Sequence, residues 1–266
     1  MATVVITGGT QGFGAGLARA FLSHGYNVVV CGRSSQPQQV ATLIPDAGDR
    51  LLVIALDISQ PAAAPALWQQ ATARFGSVEI WINNAGLAYG GPPLAQADPA
   101  LLQQMVSTNV LGTLLGCRAA VAGMASQQGG AIYNIYGAGS DGRYVPAMVA
   151  YGTSKSAVTY LTRALAAETL PLGIIVGGIS PGLLMTEPVL RGLRRLSGPQ
   201  LAARLKVVNI IGDDVDTVAR WAVEKILSNV RTGQEFVRLT RVRLIGRRLR
   251  ALWGPRDVVS RHGIGG

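Results

Sequence analysis

The chain has 266 residues, of which 48% are hydrophobic and 14% are charged. This composition supplies one sizeable core, and it excludes a disordered chain or a collagen-like repeat despite the 34 glycines. The two cysteines, Cys31 and Cys117, lie in apolar runs, so we expect no disulfide framework and a reducing, cytoplasmic location. The formal net charge is +10, and residues 241–261 hold seven arginines against one aspartate.

Short apolar strands alternate with longer helical stretches along most of the chain. This alternation predicts an α/β fold: a doubly wound, Rossmann-type parallel sheet of about seven strands with helices on both faces. We expect a single domain over residues 1–240 and a basic extension over 241–266. The predicted elements are, in order, strand Val4–Thr7, helix Phe13–His24, strand Asn27–Cys31, strand Arg50–Leu56, a helix through Trp68 to Phe75, strand Ile80–Asn83, a helical region Pro99–Met124, strand Ala131–Ile135, helix Ala150–Leu170, strand Ile174–Ile179, an irregular helical insertion Glu187–Val208, helix Asp214–Ser228 and strand Glu235–Leu239.

A glycine-rich turn, TGGTQGFG, follows the first strand and opens the first helix. Glycines in such a turn let the backbone approach a pyrophosphate, and the N-terminus of the helix offers free N–H groups to the anion. An ordinary strand-to-helix turn is the alternative. Its place at the start of an α/β chain favours dinucleotide binding, with contributions from Thr7, Gly8, Thr10, Gln11, Gly12, Phe13 and Gly14.

The second strand ends in Gly32, Arg33 and Ser34. Enzymes that use NAD usually carry an acidic residue here, which binds the ribose 2′-hydroxyl. That acid is absent, and the Arg33 guanidinium can hold a 2′-phosphate instead, with Ser34 beside it. A solvated arginine is the alternative. We therefore expect NADP(H) as the cofactor.

Tyr151 and Lys155 are four residues apart in a predicted helix, so they share one face. A free tyrosine has a pKa of about 10 and shuttles protons poorly at neutral pH. A neighbouring ammonium would lower that pKa and allow Tyr151 to protonate a carbonyl oxygen or to deprotonate an alcohol. On its own the pair could also be a surface contact on an amphipathic helix.

Other motifs follow the predicted strands in a fixed order. Together with the glycine-rich turn and the Tyr151–Lys155 pair, they resemble the classical short-chain dehydrogenase/reductase family over about residues 3–240. The motifs are Asp57-Ile58 after the third strand, Asn83-Asn84-Ala85-Gly86 after the fourth, Asn109 on the next helix, and Ser180-Pro181-Gly182 with Thr186 after the sixth.

The resemblance implies a role for each of these positions. Asp57 and Ile58 would lie beside the adenine of the cofactor. Asn109 would bind a water that feeds a proton relay, and Lys155 would also contact the nicotinamide ribose. The adenosine side and the central strand would be supported by Asn83, Ala85 and Gly86, and the nicotinamide amide would be held by Pro181, Gly182 and Thr186.

One element departs from the family pattern. The family usually places a serine where this chain has glycine and alanine, at residues 137–139, and the nearest hydroxyl candidates are Tyr136 and Ser140. We expect Ser140 to be the donor to the substrate oxygen. The run from Gly137 to Ser140 is similar to the chlorophyll b reductase branch of the family, whose members reduce the 7-formyl group of chlorophyll b. That likeness implies a large, apolar carbonyl substrate.

Several alternatives remain open at this level. The same residues would serve NADP-dependent oxidation of a lipophilic secondary alcohol. A non-catalytic nucleotide-binding scaffold is a third reading, which Asn109, Tyr151 and Lys155 argue against. We expect no nucleic-acid partner, because no nucleic-acid motif is present. We also expect no metal site, because His24 and His262 have no partner at ligand spacing.

Two parts of the sequence predict contacts, one with further copies of the chain and one with a membrane. The family resemblance implies a homodimer or homotetramer, and the few charges in the helices over 99–124 and 150–170 support it. In the basic extension, Ile245, Leu249, Leu252 and Trp253 recur at helical spacing among arginines. Such a helix predicts a peripheral membrane contact, while packing of the same apolar stripe on the chain's own core is the alternative.

Overall fold

The structure, a computed structural model, describes residues 1–33, 36–45, 47–88, 90–251, 253–254 and 256–264. Seven parallel strands form the central sheet in the order β3-β2-β1-β4-β5-β6-β9. Two short parallel strands, β7 and β8, pair separately. The strands are β1 (Thr3–Thr7), β2 (Asn27–Gly32), β3 (Leu51–Ala55), β4 (Ile80–Asn83), β5 (Gly130–Ile135), β6 (Ile174–Ser180), β7 (Leu183–Leu184), β8 (Gly212–Asp213) and β9 (Glu235–Val237).

Helices cover both faces of this sheet, as the alternating sequence pattern predicts. They are α1 (Gly12–Ser23), α2 (Pro37–Leu43), α3 (Ala63–Phe75), α4 (Pro99–Val106), α5 (Gly112–Ser126), α6 (Val149–Glu168), α7 (Glu187–Arg194), α8 (Gly198–Ile211), α9 (Val215–Leu227) and α10 (Arg241–Arg250). Short 3₁₀ turns occur at Gly48–Arg50, Leu94–Gln96, Leu170–Leu172 and Ser260–His262, and a π-helical turn, Ser107–Leu111, joins α4 to α5.

The two faces of the sheet bury separate cores because side chains alternate along each strand. Val4 and Ile6 pack with α1 and α9 on one face. Val5 and Trp81 pack with residues of α3, α5 and α6 on the other. The Rossmann-type architecture is therefore confirmed, and strand order reverses between β1 and β4. In such sheets the crevice at the carboxyl ends of the strands beside the reversal is the usual ligand site.

A third, smaller core forms where the segment after β6 meets the C-terminus. Met185, Leu190, Leu193 and Val208 are buried there against residues from the end of the chain, Val258, Val259 and Ile264. Asp213 fixes this arrangement, because its carboxylate accepts hydrogen bonds from Arg247 at 2.6 Å and Arg256 at 2.9 Å. Part of the predicted extension is thus a structural element packed on α7 and α8.

The segment Pro99–Ser126 is long and apolar enough, by length and composition alone, to cross a membrane. In the fold, its α5 portion packs against α3, β4 and β5. The buried Asn109 also lies within it. These contacts are those of a helix that covers a central sheet.

Candidate active site

In the turn after β1, a larger residue in place of Gly8 or Gly14 would force the neighbouring backbone to move. A Cβ atom on Gly8 would lie 2.8 Å from the Ala85 Cα, and one on Gly14 would lie 2.3 Å from the Gly8 carbonyl oxygen. Gly8 and Gly12 also have positive φ angles, +61° and +53°, which favour glycine. The result is a backbone cradle at the N-terminus of α1, which begins beside Gln11. Thr10 lies half-buried in the same turn.

Asn84, which the sequence interpretation left without a role, ties this cradle to β4. Its Nδ2 donates to the Thr7 and Gly8 carbonyl oxygens, both at 3.0 Å. The Thr7 hydroxyl in turn accepts from the Asn84 and Ala85 backbone N–H groups at 3.1 and 3.0 Å. The second amide of the Asn-Asn-Ala-Gly motif was the sequence signal for this residue. These hydrogen bonds hold the turn after β1 against the loop after β4.

Three predicted cofactor residues direct their side chains into the protein. Phe13 is buried in the core beside α1, and Ile58 is buried against Gly112, whose added Cβ would lie 3.1 Å from the Ile58 Cγ2. Asn83 accepts from the Trp81 indole at 2.8 Å and donates to Asn134 at 2.8 Å. Asn83 therefore supports the central strands, and Phe13 and Ile58 can meet a cofactor only through their backbones.

Arg33 is exposed just beyond the end of β2. The pKa of Asp57, at the end of the neighbouring strand, is lowered mainly by the Ser59 backbone N–H, with a smaller contribution from the Arg33 charge. Arg33 and Asp57 thus occupy adjacent positions at one edge of the crevice. Ser34, predicted beside Arg33, lies outside the described residues.

On the other side of the crevice, the loop after β6 faces the glycine-rich turn. A Cβ on Gly12 would lie 3.5 Å from the Thr186 Cγ2. Pro181 is buried, while Gly182 is exposed with a φ of +81°. The structure therefore brings Gly12 and Thr186, which are distant in sequence, into neighbouring positions.

Tyr151 and Lys155 share one face of α6, as their spacing predicts. The Lys155 Nζ lies 5.9 Å from the centroid of the Tyr151 ring and donates to the Ile135 carbonyl oxygen at 2.8 Å. Burial lowers the pKa of Lys155 to about 8 and raises the pKa of Tyr151 to about 12. The expected lowering of the Tyr151 pKa is therefore wrong for this structure, because desolvation of the phenol raises that pKa.

Asn109 lies in the π-helical turn between α4 and α5, fully buried. Its Oδ1 accepts from the Leu87 N–H at 2.7 Å, and its Nδ2 donates to the Leu87 carbonyl and the Ser154 hydroxyl, both at 3.0 Å. Gly86 lies beside these groups, since its added Cβ would be 3.3 Å from the Asn109 Oδ1 and 3.6 Å from the Lys155 Nζ. Asn109 thus fixes the loop after β4 next to Lys155. The water relay stays a prediction.

The two hydroxyl candidates occupy different environments. The Ser140 Oγ accepts from the Gly137 N–H at 3.0 Å and donates to the Lys155 carbonyl at 3.4 Å, so it lies in the loop against α6. The Tyr136 hydroxyl donates to Glu235 on β9 at 3.2 Å. No hydrogen bond joins Ser140 to Tyr151 in the described part of the chain, and the role of Ser140 as donor stays a prediction.

No group of three or more His, Cys, Asp or Glu side chains that could hold a metal ion occurs among the described residues. The chemistry that the site offers is a phenol, an ammonium and a hydroxyl at the edge of a nucleotide-type crevice. This combination of fold and site defines a Rossmann-type oxidoreductase.

Comparisons with known proteins specify the family. The model of the short chain dehydrogenase family matches residues 2–191, and the chain belongs to that family. It is 36% identical over 230 residues to chlorophyll(ide) b reductase NOL of Arabidopsis thaliana, a chloroplast protein, which is 84% of this chain but 64% of the plant protein. It thus spans less than two thirds of that relative.

Two further proteins are similar over more of their own length. The 3beta-hydroxysteroid dehydrogenase 1 of Eggerthella lenta is 32% identical over 227 residues, or 82% of this chain and 85% of that protein. The solved structure "ElxO with NADP Bound" superposes with a TM-score of 0.78 over 89% of this chain and 96% of that chain, at 24% identity. The structural likeness confirms the fold.

Proposed function

We propose that this protein is an NADPH-dependent carbonyl reductase that acts on an aldehyde or ketone of a large apolar substrate. One observation carries the proposal: the Lys155 ammonium lies 5.9 Å from the centroid of the Tyr151 ring, on one face of α6 and next to the loop that Asn109 holds. A protonated phenol beside a buried cation is the arrangement needed to deliver a proton to a carbonyl oxygen.

The residues around the crevice fit NADP(H). The glycine cradle at Gly8, Gly12 and Gly14 would accommodate the pyrophosphate, and Arg33 would bind the 2′-phosphate. The opposite wall, with Gly182 and Thr186, would hold the nicotinamide amide. When bound, the cofactor supplies hydride to the carbonyl carbon. The NADP bound to the structural neighbour ElxO supports this choice of cofactor.

The protein's own residues would transfer the proton. Tyr151 transfers its hydroxyl proton to the carbonyl oxygen as negative charge develops there. The Lys155 ammonium stabilises the phenolate that results, and Asn109 would hold the water that returns the proton. Ser140 is proposed as a second donor to the carbonyl oxygen. Its 3.4 Å bond to the Lys155 carbonyl is long, so exchange of that acceptor costs little.

The substrate class is proposed from the similarity to known proteins. A small hollow near the start of α6 is lined by glycine, proline and aliphatic residues: Gly91, Pro92, Leu94, Ala97, Leu102, Ala147, Val149 and Ala150. The similarity to a chlorophyll(ide) b reductase supports a formyl-bearing tetrapyrrole, reduced at its 7-formyl group.

Oxidation of a lipophilic secondary alcohol by NADP⁺ is the second candidate. The similarity to 3beta-hydroxysteroid dehydrogenase 1 favours it. In this direction Tyr151 would accept the alcohol proton. A non-catalytic scaffold role does not explain why the Asn109 side chain is held by three hydrogen bonds or why Lys155 is buried.

The two enzymatic candidates can be separated with purified protein. We would follow NADPH consumption with a formyl-bearing tetrapyrrole and with simple aromatic aldehydes, and NADP⁺ reduction with a 3β-hydroxysteroid. Turnover of the tetrapyrrole that Tyr151→Phe abolishes would support the reductase. Turnover of the steroid alone would favour the dehydrogenase, and no turnover in any assay, with NADPH bound, would overturn both.

We also propose a homodimer or homotetramer that forms through α4, α5 and α6. Large apolar side chains are exposed on these helices and on the π-helical turn between α4 and α5, among them Val106, Leu111, Leu114 and Tyr160. A second copy would cover them through a two-fold contact. Light scattering at micromolar concentration should report two or four chains, and Leu114→Arg should reduce that number. A monomeric wild type would contradict the proposal.

A cytoplasmic location is part of the same proposal. Cys31 and Cys117 are free and buried, and burial raises the pKa of both thiols to about 12. Such thiols are inert packing groups that need no oxidising environment. Cell fractionation with an antibody to the chain would test the location.

A further inference from the structure

Helix α10 is amphipathic, yet its apolar side faces solvent. We define its outer stripe as Val242, Ile245, Leu249 and Trp253, whose exposed fractions are 81%, 57%, 53% and 84%. No residue of α10 is buried. An isolated exposed leucine needs no explanation, but three large apolar side chains on one side of a ten-residue helix, with Trp253 in the turn that follows it, form a surface suited to a partner. Leu252, which the sequence also predicts in this stripe, lies outside the described residues.

The opposite side of α10 fixes it to the protein. Arg247 donates to the Asp213 carboxylate at 2.6 and 2.8 Å and to the Ile210 carbonyl at 3.3 Å. Arg243 donates to the Arg238 carbonyl at 2.9 Å, and Thr240 caps the first turn by accepting from the Arg243 N–H. The helix therefore cannot turn its outer stripe inward without breaking the bonds of Arg247 to the mostly buried Asp213.

Charge surrounds the outer stripe on both sides. At 100° per residue, Arg241 and Arg248 border one edge of the stripe, and Arg250 borders the other. All three are exposed, and within the described chain none of them forms an ion pair. An apolar stripe between rows of arginine is complementary to a bilayer, whose anionic headgroups meet the arginines while the acyl boundary takes the stripe.

We propose that α10 docks the protein on an anionic lipid bilayer, with the outer stripe inserted and Trp253 at headgroup depth. A second copy of the chain is the less suitable occupant, because two such surfaces would bring like charges together. The proposal does not rest on the proposed reaction, since binding is measured without cofactor or substrate.

The test uses the full chain with vesicles of phosphatidylcholine alone and with added phosphatidylglycerol. We expect cosedimentation with the anionic vesicles only, weakened by salt. Trp253 fluorescence should shift to the blue on binding, and Trp253→Phe should remove that shift. Arg241→Gln with Arg248→Gln should weaken binding about 25-fold, because each basic residue near an anionic surface contributes roughly fivefold.

A matched pair of variants distinguishes membrane binding through the outer stripe from binding through exposed apolar residues in general. Ile245→Ser with Leu249→Ser should lose more than about tenfold in affinity. Leu170→Ser with Val230→Ser, which changes two exposed apolar residues elsewhere, should bind as wild type does. Unchanged melting temperatures would show that all variants fold. The proposal is overturned if anionic vesicles are not bound at low salt, if the stripe variant binds like wild type, or if that variant changes only the molecular mass in light scattering.

Discussion

The hydroxyl oxygen of Tyr151 lies where a side chain at residue 137 would begin. A Cβ atom on Gly137 would be 2.2 Å from that oxygen and 2.9 Å from the Tyr151 Cζ, closer than atoms approach without a shift. Glycine at position 137 and the place of the Tyr151 hydroxyl are therefore coupled. The short-chain dehydrogenase family usually has its serine in this part of the loop, where this chain has Gly137, Ala138 and Gly139.

This coupling predicts that Gly137→Ala displaces the Tyr151 hydroxyl. We expect kcat for carbonyl reduction to fall about a hundredfold or more, the usual contribution of a positioned proton donor, while NADPH binding is retained. Steady-state kinetics and NADPH titration would measure the two effects. Gly152→Ala is the control, because its Cβ would meet neighbours at 3.6 Å or more. A fully active Gly137→Ala enzyme would show that the phenol works from another position.

The contacts of the two hydroxyl candidates predict opposite outcomes for their removal. Ser140→Ala should lower kcat by about tenfold or more, the worth of a hydrogen bond to a charged oxygen. Tyr136→Phe should keep kcat and lose about 1 kcal/mol of stability, because its hydroxyl bonds to Glu235. Steady-state kinetics would measure kcat for both variants, and chemical unfolding would measure their stability. Together they would decide which hydroxyl acts as the donor. An active Ser140→Ala enzyme with an inactive Tyr136→Phe enzyme would reverse our assignment.

The position of Arg33 predicts cofactor preference. Wild-type protein should bind NADPH more tightly than NADH, and Arg33→Ala should weaken NADPH binding by about 1–3 kcal/mol, as expected for a charged hydrogen bond. NADH binding should hardly change, since NADH lacks the 2′-phosphate. Fluorescence titration of both cofactors measures the difference. Equal losses for NADPH and NADH would mean that Arg33 does not contact the 2′-phosphate.

The sheet could be predicted from the sequence because its strands are buried on both faces and read as continuous apolar runs, as Ile174–Ser180 does. Helix α2 gave no such signal: in Pro37–Leu43 the alternation of apolar and polar residues is short, and Val40 is its buried anchor. The third core was also missed. Its residues Leu190 and Val259 are separated by most of the C-terminal region, so no local pattern joins them.

The site shows the same division between local and tertiary information. The four-residue spacing of Tyr151 and Lys155 placed both on one face of α6. Their pKa shifts depend on burial by loops from elsewhere in the chain, and a spacing does not contain that information. The hydrogen bonds from Asn84 to the Thr7 and Gly8 carbonyl oxygens likewise depend on the parallel pairing of β1 and β4. That pairing brings the loop after β1 and the loop after β4 together.

The last prediction concerns the pH dependence of reduction. With a pKa of about 8 for Lys155 and about 12 for Tyr151, both groups are protonated at neutral pH, which is the state that can donate a proton to a carbonyl. As pH rises through about 8, Lys155 loses its charge, and the phenolate left by Tyr151 is no longer stabilised. The kcat/KM for NADPH-dependent reduction should therefore fall on the alkaline side with a midpoint near 8.

Lys155→Arg tests whether the charge of Lys155 causes that fall, because a guanidinium stays protonated across the range. We expect the alkaline limb of this variant to disappear, even at a lower overall rate. Stability gives an independent readout. The folded-state pKa of Lys155 lies below its ordinary value of 10.5, so the unfolded chain binds more protons between about pH 8 and 10.5, and wild-type stability should rise with pH there relative to Lys155→Met. A flat kcat/KM between pH 7 and 9.5, with wild type and Lys155→Met showing parallel stability curves, would mean that Lys155 does not titrate in this window.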